Sequence, residues 1–286
     1  MESGVHTVNG LLPKLARRPS WPFEMNDQSP QAKGLAGWWP LVRTEALITP
    51  EMSGHLQPAI LNNMPADWHY DPELGDTLNF ENITAADSLA TQQWLSTGYY
   101  PSERTRALMG WMYMDTSAGD GWASLGIFET PDRRCYIGFN VDTNRYRAGL
   151  GNSFQTTIAP LGETLQFRRW YHIGIAADGV IATIYFNGKP TDTVQTSFSG
   201  TAVADIWMGL RNDPATGDTD TLDGRVTDVR VYEDVLIDDA FMAQVYNPRT
   251  RWDLYKPYRS VFYSWVTPVY RTRRIQSYPT PHPRGL

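Results

Sequence analysis

Short apolar runs separated by turn residues dominate the middle of the chain. Between residues 34 and 232, β-branched and aromatic residues alternate with clusters of Gly, Asn, Asp and Pro, which is typical of strands joined by tight turns. Asp178-Gly179 and Asn187-Gly188 lie between such runs and predict two successive hairpins, the first with a type I′ turn. The predicted strands are 35–41, 77–80, 107–114, 123–129, 134–140, 146–150, 154–159, 170–176, 180–186, 191–196, 205–210 and 224–232. So many short strands favour an antiparallel sandwich or barrel over a parallel α/β sheet.

The flanks of this region have a different pattern. Residues 237–246 predict a short helix, with Asp near its start and Pro248 closing it. Residues 1–33 are punctuated by prolines and show no helical period, and the chain after the helix also favours extended structure. We therefore predict an N-terminal arm over 1–33, a β-domain over 34–248 and a basic, aromatic-rich C-terminal arm over 249–286.

Composition agrees with a folded domain and excludes several classes of protein. Apolar residues make up 41% of the chain, which is enough for a core. The single cysteine, Cys135, excludes both a disulfide framework and a Cys-based zinc site within one chain. The apolar runs are too short to span a bilayer, so no membrane partner is expected. The N-terminus lacks the basic region and apolar run of a secretory signal, so we expect a protein made and used without export.

Charge is divided unevenly along the chain. Residues 34–248 carry a net charge of −14, whereas 249–286 hold eight basic residues and one acidic residue. An acidic body repels phosphate, so nucleic acid is a disfavoured partner for the β-domain. The basic tail remains available for an acidic partner.

Several motifs follow one another in a recognisable order. They are GLAGWWPL at 34–41, MSGH at 52–55 followed by AILNN at 59–63, TLNF at 77–80, ALMGWMY at 107–113, RWYHIGIA at 169–176 with ATIYFNGKP at 182–190, and DGRVTDVRVY at 223–232. This order resembles that of LamG-like, concanavalin A-like jelly-roll domains. The resemblance covers residues 34–248 and implies an all-β fold, a sandwich of two antiparallel sheets with one short C-terminal helix.

A second resemblance concerns biological context. NPRTRWDLYKP at 247–257 resembles the C-terminal extensions of LamG-like virion proteins of tailed phages. It implies a non-enzymatic virion structural protein, most simply a capsid decoration or stabilising protein, assembled in the host cytoplasm and anchored by its arms to capsid subunits or other virion proteins. A homo-oligomer is a further expected arrangement. The alternative is a carbohydrate-binding adhesin or receptor-binding module, associated with a tail or fibre, that binds surface glycans.

Catalysis is disfavoured by the pattern of acidic residues. LamG-like folds include glycoside hydrolases and lyases, and a retaining hydrolase needs two carboxylates about 5–5.5 Å apart. The nearest run is 228–234, where Asp228 alternates with Arg230 and Tyr232, and we interpret it as a solvent-facing closing strand. The chain also lacks a nucleophile elbow, an HExxH motif and a phosphate loop. His172, which lies in a firm strand, is predicted to be a structural histidine with satisfied nitrogens.

One acid-dense loop is the candidate metal site. Asp218, Asp220 and Asp223 resemble a group of calcium ligands in residue type, but their spacing is not that of an EF-hand loop. We expect a solvated turn and no cofactor, with calcium as the alternative.

Aromatic and basic residues supply the candidate binding sites. Trp122, Trp207, Tyr99 and Tyr100 are candidates for stacking on sugars, although strand aromatics commonly belong to a core. The arms are predicted to dock on another subunit, because aromatics and Arg are enriched at interface hot spots. Folding of the C-terminal arm back onto its own domain, and binding of nucleic acid through its arginines, are the alternatives. The predicted partner-binding residues are Trp21, Phe23, Arg249, Arg251, Trp252, Tyr255, Tyr258, Phe262, Trp265, Arg271, Arg273 and Arg274.

Overall fold

The structure, a computed structural model, is mostly β in the part of the chain it describes. It describes residues 17–19, 21–65, 67–81, 93–116, 135–140, 144–150, 155–158, 164–195, 205–212 and 219–257. The strands are β1 (Phe23–Met25), β2 (Leu35–Trp39), β3 (Ile48–Thr49), β4 (Ala59–Asn62), β5 (Trp68–Asp71), β6 (Gly75–Glu81), β7 (Trp94–Ser96), β8 (Thr105–Met114), β9 (Cys135–Asn140), β10 (Arg145–Leu150), β11 (Gln155–Ile158), β12 (Trp170–Ala177), β13 (Ile181–Phe186), β14 (Lys189–Gln195), β15 (Trp207–Met208), β16 (Leu210–Asn212), β17 (Thr219–Thr221), β18 (Asp223–Glu233) and β19 (Tyr255–Pro257). A 3₁₀ turn covers Pro30–Ala32, and helix α1 covers Asp239–Tyr246.

Eight antiparallel strands form the central sheet. Seven follow the order β14-β13-β12-β8-β18-β6-β5, and β2 pairs with β18 beyond the end of β6. One side of β18 thus pairs with β8 along most of its length, while β6 and β2 share the other side. The register shifts between Thr227 and Arg230, at a bulge where Asp228 has a φ of 53°. This bulge re-aims the side chains in the middle of the strand.

The central sheet is buried on both faces, which accounts for its long apolar runs. On one face, Leu108, Met112 and Ile173 pack with the strands of a four-stranded sheet, β15-β7-β4-β3, and with Ile137 of β9. On the other face, Met109 and Trp111 pack beneath helix α1 and the two terminal segments. A strand buried on both faces does not alternate between apolar and polar residues. The result is the predicted sandwich, with an additional layer over the outer face of the central sheet.

Both predicted hairpins are present, and their turns differ. Asn187 and Gly188 both have positive φ, and Phe186 pairs with Lys189, as a two-residue type I′ turn requires. At the other hairpin only Gly179 has positive φ. There the Asp178 carboxylate accepts hydrogen bonds from the backbone N–H groups of Val180 and Ile181, both 2.8 Å, and the loop between the strands spans residues 178–180. The predicted type I′ turn at Asp178 is therefore wrong, because the Asp side chain organises a longer turn instead.

The terminal segments complete the outer layer. Strand β1 pairs with β19, with Phe23 opposite Pro257, and Trp252, Leu254 and Tyr255 are buried against the central sheet. This placement differs from the division at residues 33 and 248, because residues 23–33 and 249–257 pack as part of the domain. The remainder of each predicted arm, residues 1–16 and 258–286, lies outside the described residues.

The other sequence-based strand predictions have mixed outcomes. All predicted strands in the described ranges overlap observed ones, and the predicted helix corresponds to α1. The predicted strand over 123–129 lies outside the described residues. The interpretation of 228–234 as solvent-facing is wrong, because Asp228 and Arg230 are buried beneath the terminal segments.

Among the described residues, no helix has the length and apolar character needed to cross a membrane.

Candidate functional site

A buried ion pair joins the central sheet to the terminal segments. Asp228 accepts hydrogen bonds from Arg230 Nε (3.1 Å) and Nη2 (2.7 Å), from Trp38 Nε1 (3.0 Å) and from the Tyr255 hydroxyl (2.8 Å). Arg230 also donates to Gln31 Oε1 at 2.6 Å. We call these five residues, Gln31, Trp38, Asp228, Arg230 and Tyr255, the closed cluster. Every charge in it has a partner from the same chain.

The charges in the closed cluster stabilise each other. Burial alone would raise the pKa of Asp228, but the charge of Arg230 and the hydrogen bonds from Arg230, Trp38 and Tyr255 outweigh it and hold that pKa below its usual value. Burial lowers the pKa of Arg230, and the charge of Asp228 outweighs that effect and raises it. Burial, followed by the charge of Asp228, raises the pKa of Tyr255. The cluster therefore holds a charged pair and leaves no open position for a ligand.

His172 lies buried on the same face of the central sheet. Its ring packs against Trp111 at a centroid distance of 5.2 Å, and neither ring nitrogen has a hydrogen-bond partner in the described structure. Burial, and then the positive charge of Arg230, lowers the pKa of His172 to about 3. His172 is buried within the domain, and the prediction that its nitrogens are satisfied is wrong.

A cleft of about 370 Å³ opens where the N-terminal segment crosses the edge of the central sheet. Its most exposed aromatic residues are Trp21, 45% exposed, and Tyr70, 65% exposed. We call it the Trp21 cleft. It is lined by Arg18, Pro19, Trp21, Arg43, Thr44, Glu45, Tyr70, Gly75 and Asp76.

The hairpin from β5 to β6 holds one wall of the cleft. The Asp71 carboxylate accepts hydrogen bonds from the backbone N–H groups of Glu73 and Leu74, both at 2.8 Å, and from Trp170 Nε1 at 3.0 Å. Such Asx turns fix a tight loop through the aspartate side chain. The turn fixes the end of β5, where Tyr70 lies, and so positions Tyr70 beside the cleft.

The loop between β2 and β3 contributes further lining residues. The Thr44 hydroxyl donates to the backbone oxygen of Ile48 at 2.6 Å, and the Arg43 backbone N–H donates to Asp76 Oδ2 at 3.1 Å. The Arg43 and Glu45 side chains are exposed and make no hydrogen bond or ion pair with the described residues. These two charged groups are therefore free to contact a ligand.

Arg18 and Trp21 bring the N-terminal segment into the cleft. The Arg18 guanidinium is buried and donates to backbone oxygens of the β6 strand and its turn. The Trp21 ring makes an edge contact with Phe23 at 5.4 Å, and Phe23 belongs to the outer core. The cleft thus joins exposed aromatic faces to hydrogen-bonding and charged groups. Such a concave site with a few convergent polar groups is typical of small-ligand binding.

The structure divides the predicted partner-binding residues into three groups. Trp21 lies at the cleft and Arg249 is exposed, whereas Phe23, Arg251, Trp252 and Tyr255 are buried in the domain's own outer layer. Arg251 pairs with Glu73 at 2.8 Å, and its guanidinium lies 4.7 Å from the Trp111 ring centroid. Their burial favours the fold-back interpretation for residues 249–257. The remaining predicted residues, Tyr258, Phe262, Trp265, Arg271, Arg273 and Arg274, lie outside the described structure.

The predicted acidic site is only partly described. Asp218 lies outside the described residues, and Asp220 belongs to β17 with a side chain that is not described. Asp223 is buried and accepts a hydrogen bond from the Thr116 hydroxyl, and burial raises its pKa. Within the described ranges, no three metal-binding side chains cluster together.

The predicted sugar-stacking aromatics have different environments. Tyr99 is buried and donates its hydroxyl to Glu233 at 2.9 Å, so its role is structural. Tyr100 is 51% exposed and lies outside the cleft. Trp207 lies on the four-stranded sheet beside Trp94, with ring centroids 5.6 Å apart, and donates to Asp205 at 2.9 Å. Trp122 lies outside the described residues.

Most residues of the Trp21 cleft were missed from the sequence. Tyr70 carried a usable signal, because WHYD at 68–71 precedes a Pro-containing turn and is typical of a short strand. Arg18 and Arg43 carried none, since they come from segments that are distant in sequence and meet only through the fold.

Known proteins share the family and the fold of this chain. A family model described as the concanavalin A-like lectin/glucanases superfamily matches residues 79–240, which is more than half of the chain. No curated protein matches the chain.

Three solved structures illustrate the shared fold. Domain 4 of AbnA, a GH43 extracellular arabinanase from Geobacillus stearothermophilus, in complex with arabinotriose, is 13% identical with a TM-score of 0.53 over 74% of this chain and 98% of that one. The binding domain of Paraclostridial Mosquitocidal Protein 1 is 12% identical, with a TM-score of 0.55 over 76% of this chain and 52% of that one. Trypanosoma rangeli sialidase in complex with sialic acid is 12% identical, with a TM-score of 0.51 over 74% of this chain and 32% of that one. At these identities the likeness shows the fold alone.

Proposed function

The chain belongs to the concanavalin A-like lectin/glucanases superfamily, and we propose that it is a non-catalytic carbohydrate-binding protein whose sugar site is the Trp21 cleft. The observation that carries this proposal is the arrangement of Trp21 and Tyr70 around free polar groups. Aromatic faces pack against the C–H groups of a sugar ring, while carboxylates and guanidinium groups bind its hydroxyls. The cleft offers both kinds of contact.

The neighbouring structures support this proposal without carrying it. The arabinanase domain was solved with arabinotriose, and it aligns with this chain over nearly its whole length. The chain spans about a third of the sialidase, so that enzyme's activity belongs to a larger protein. The sugar function of this chain rests on its own cleft.

The environments of two buried acidic groups, Asp223 and Asp228, support a non-catalytic role. A glycosidase needs a carboxylic acid held protonated near a second carboxylate, both facing the substrate. Asp223, whose pKa is raised by burial, lies outside the cleft and accepts a hydrogen bond from Thr116. Asp228 is paired with Arg230 inside the closed cluster and cannot face a substrate.

The test is binding of the full chain to a glycan array, followed by calorimetry with the best ligand. Trp21→Ala and Tyr70→Ala should each weaken binding about tenfold, or ~1.4 kcal/mol. Tyr100→Ala is the matched control, because Tyr100 is similarly exposed but lies outside the cleft, and its removal should leave affinity unchanged. Absence of any glycan binding, or binding that both cleft variants retain in full, would contradict the proposal.

Docking in a phage virion is the second candidate function. It is favoured by the pairing of β1 with β19, which places the N-terminal segment beside the last described strand. The basic, aromatic residues after Pro257 would then act beside the N-terminal segment on one virion partner. Removal of 258–286 should sharply reduce co-purification with phage particles, measured by gel densitometry. Full occupancy by this truncated chain would exclude docking through the tail.

A further inference from the structure

Arg18 is a buried cation without an anionic partner in the described structure. It is only 6% exposed. Its Nη1 donates to the backbone oxygens of Leu74 (3.1 Å) and Asp76 (2.9 Å) and to Thr227 Oγ1 (2.7 Å), and its Nη2 donates to the backbone oxygen of Leu41 (3.3 Å). All four acceptors are neutral. Arg18 belongs to none of the ion pairs among the described residues, so no described carboxylate oxygen lies within 4.0 Å of its guanidinium nitrogens.

The contrast with Arg230 shows what Arg18 lacks. Arg230 is also buried, but it pairs with Asp228 at 2.7 Å. A buried charge is costly unless an opposite charge compensates it, and arginine remains protonated in proteins. For Arg230 the chain supplies the counter-charge. For Arg18, which lines an open cleft, a ligand can supply it.

Gly75 lies against one side of Arg18, and both residues line the cleft. A Cβ at this position would lie 3.1 Å from Arg18 Nε and 3.2 Å from its Cδ. Gly75 also has a φ of 76°, which disfavours other residues. Nε makes no hydrogen bond within the described chain, so this donor is available to a ligand.

Arg43 adds a second guanidinium at the same cleft. Its backbone is held by Asp76, while its side chain has no partner among the described residues. Glu45 and Asp76 bring two negative charges to the lining. Glu45 is exposed and therefore screened by water, and the Asp76 carboxylate already accepts the Arg43 N–H. The charge of buried Arg18 acts through a lower dielectric and is felt more strongly within the cleft.

From this geometry we propose, building on the carbohydrate-binding function above, that the Trp21 cleft selects an acidic sugar and binds its carboxylate through Arg18 and Arg43. Guanidinium groups bind carboxylates through paired N–H donors. The remaining hydroxyls of the sugar face Glu45 and Asp76, and its ring packs against Trp21 or Tyr70. A carboxylate on either a hexuronic acid or a sialic acid has the required chemistry.

The experiment compares ligands that differ in the carboxylate. The probes are trigalacturonic acid with its carboxyl-reduced form, and 3′-sialyllactose with lactose, each titrated into the full chain. At least one acidic member should bind ten or more times tighter than its neutral counterpart, and the pair that shows the difference identifies the type of acidic sugar. The preference should decrease as salt is raised.

Variants distinguish this inference from the proposed function. Arg43→Gln should reduce the ratio of acidic to neutral affinity at least fivefold, and Arg43→Lys should restore part of it. Arg168→Gln is the matched control, since Arg168 is exposed and lies outside the cleft. Arg18→Gln should abolish the preference for acidic sugars, provided that circular dichroism shows a folded chain. If the Arg18→Gln chain is unfolded, the result for Arg43→Gln alone tests the inference.

The possible failures are separable. Equal affinity for acidic and neutral members in both pairs, with binding still dependent on Trp21 and Tyr70, would overturn the acidic-sugar inference and leave carbohydrate binding in place. A preference that Arg43→Gln leaves unchanged would overturn it as well. If no sugar of any kind binds, the proposed function itself fails.

Discussion

The closed cluster and the Trp21 cleft contain the same kinds of residue and have opposite surroundings. Each combines arginine with tryptophan and tyrosine, and each lies where the N-terminal segment meets the central sheet. In the closed cluster, Asp228 pairs with Arg230, and Tyr255 and Trp38 donate to that aspartate. In the cleft, the Arg43 side chain has no described partner and Tyr70 is mostly exposed. Residue type therefore predicts a contact surface, and only the fold decides whether that surface is already occupied by the chain.

The largest expected effect concerns residues 249–257, which cover the closed cluster and which we call the strap. Deleting 249–286 removes Trp252, Leu254 and Tyr255, and each buried side chain of this size contributes about 2–5 kcal/mol. The sum is comparable to the whole stability of a typical domain, so this chain should fail to fold. Deleting only 258–286 should leave a cooperative unfolding transition. Circular dichroism and urea denaturation of the two truncated chains provide the measurement.

The result would also decide between two interpretations of the C-terminal arm. A folded chain lacking 249–286 would show that the strap is dispensable and would restore the division at residue 248. An unfolded chain lacking 258–286 would show that part of the tail belongs to the fold as well.

The next effect concerns the charge inside the closed cluster. Asp228→Asn should lower the free energy of unfolding by about 3–5 kcal/mol, because it leaves Arg230 buried without its counter-charge. Asparagine tolerates the positive φ of this position, so the substitution tests charge with little added backbone strain. Denaturant unfolding at pH 7 measures the change. A loss below about 1 kcal/mol would show that the pair is not needed once Gln31 and the backbone contact Arg230.

The difference between the two regions also shows what the sequence could predict. The strands of the central sheet were predictable, because their apolar runs and the Asn187-Gly188 turn are local signals. The very short strands β3 and β7 were not predicted, and β15 was predicted only as part of a longer strand over 205–210. Two or three residues carry little pattern. The family resemblance was predictable from the order of motifs, and the family model confirms it.

The sites were less predictable because they depend on contacts between distant segments. Trp252 and Tyr255 were selected for docking because aromatic residues are rare in a solvated tail, but their burial depends on Trp38, Asp228 and the pairing of β1 with β19. Arg18 and Tyr70 are 52 positions apart and meet at one cleft. No local pattern distinguishes an arginine that has a carboxylate partner from one that lacks it.

A third effect is a loss of stability at acidic pH, caused by His172, which lies on the same face of the central sheet as the closed cluster. The pKa of His172 is lowered to about 3 in the folded state from 6.5, chiefly by burial. The folded state therefore binds fewer protons than the unfolded state, and stability falls as the pH drops from 6.5 toward 3. Between pH 7 and pH 5 the loss should be about 2 kcal/mol. The contribution of Asp228, whose pKa lies below its usual value, is lost only at pH values below about 4.

His172→Phe isolates this contribution. Neither ring nitrogen of His172 has a described hydrogen-bond partner, so phenylalanine removes the titrating group without breaking a hydrogen bond. Urea unfolding at pH 5, 6 and 7 should show a clear slope for the natural chain and a flatter one for the variant. Equal slopes would mean that another group titrates in this range.

The smallest expected effect lies in the cleft and completes the comparison. Arg43→Gln and Tyr70→Ala should each change the free energy of unfolding by less than about 0.5 kcal/mol, because the Arg43 side chain has no described partner and Tyr70 is 65% exposed. The melting temperature should shift by no more than about 2 °C. Tyr255→Ala is the matched control for Tyr70→Ala, since the same side chain is buried there and donates to Asp228. A cleft variant that destabilises the domain as strongly as Tyr255→Ala would show that these residues serve the fold, and the contrast between an occupied and an open arginine–aromatic cluster would disappear. Near-neutral stability together with lost sugar binding would instead assign the cleft residues to the ligand.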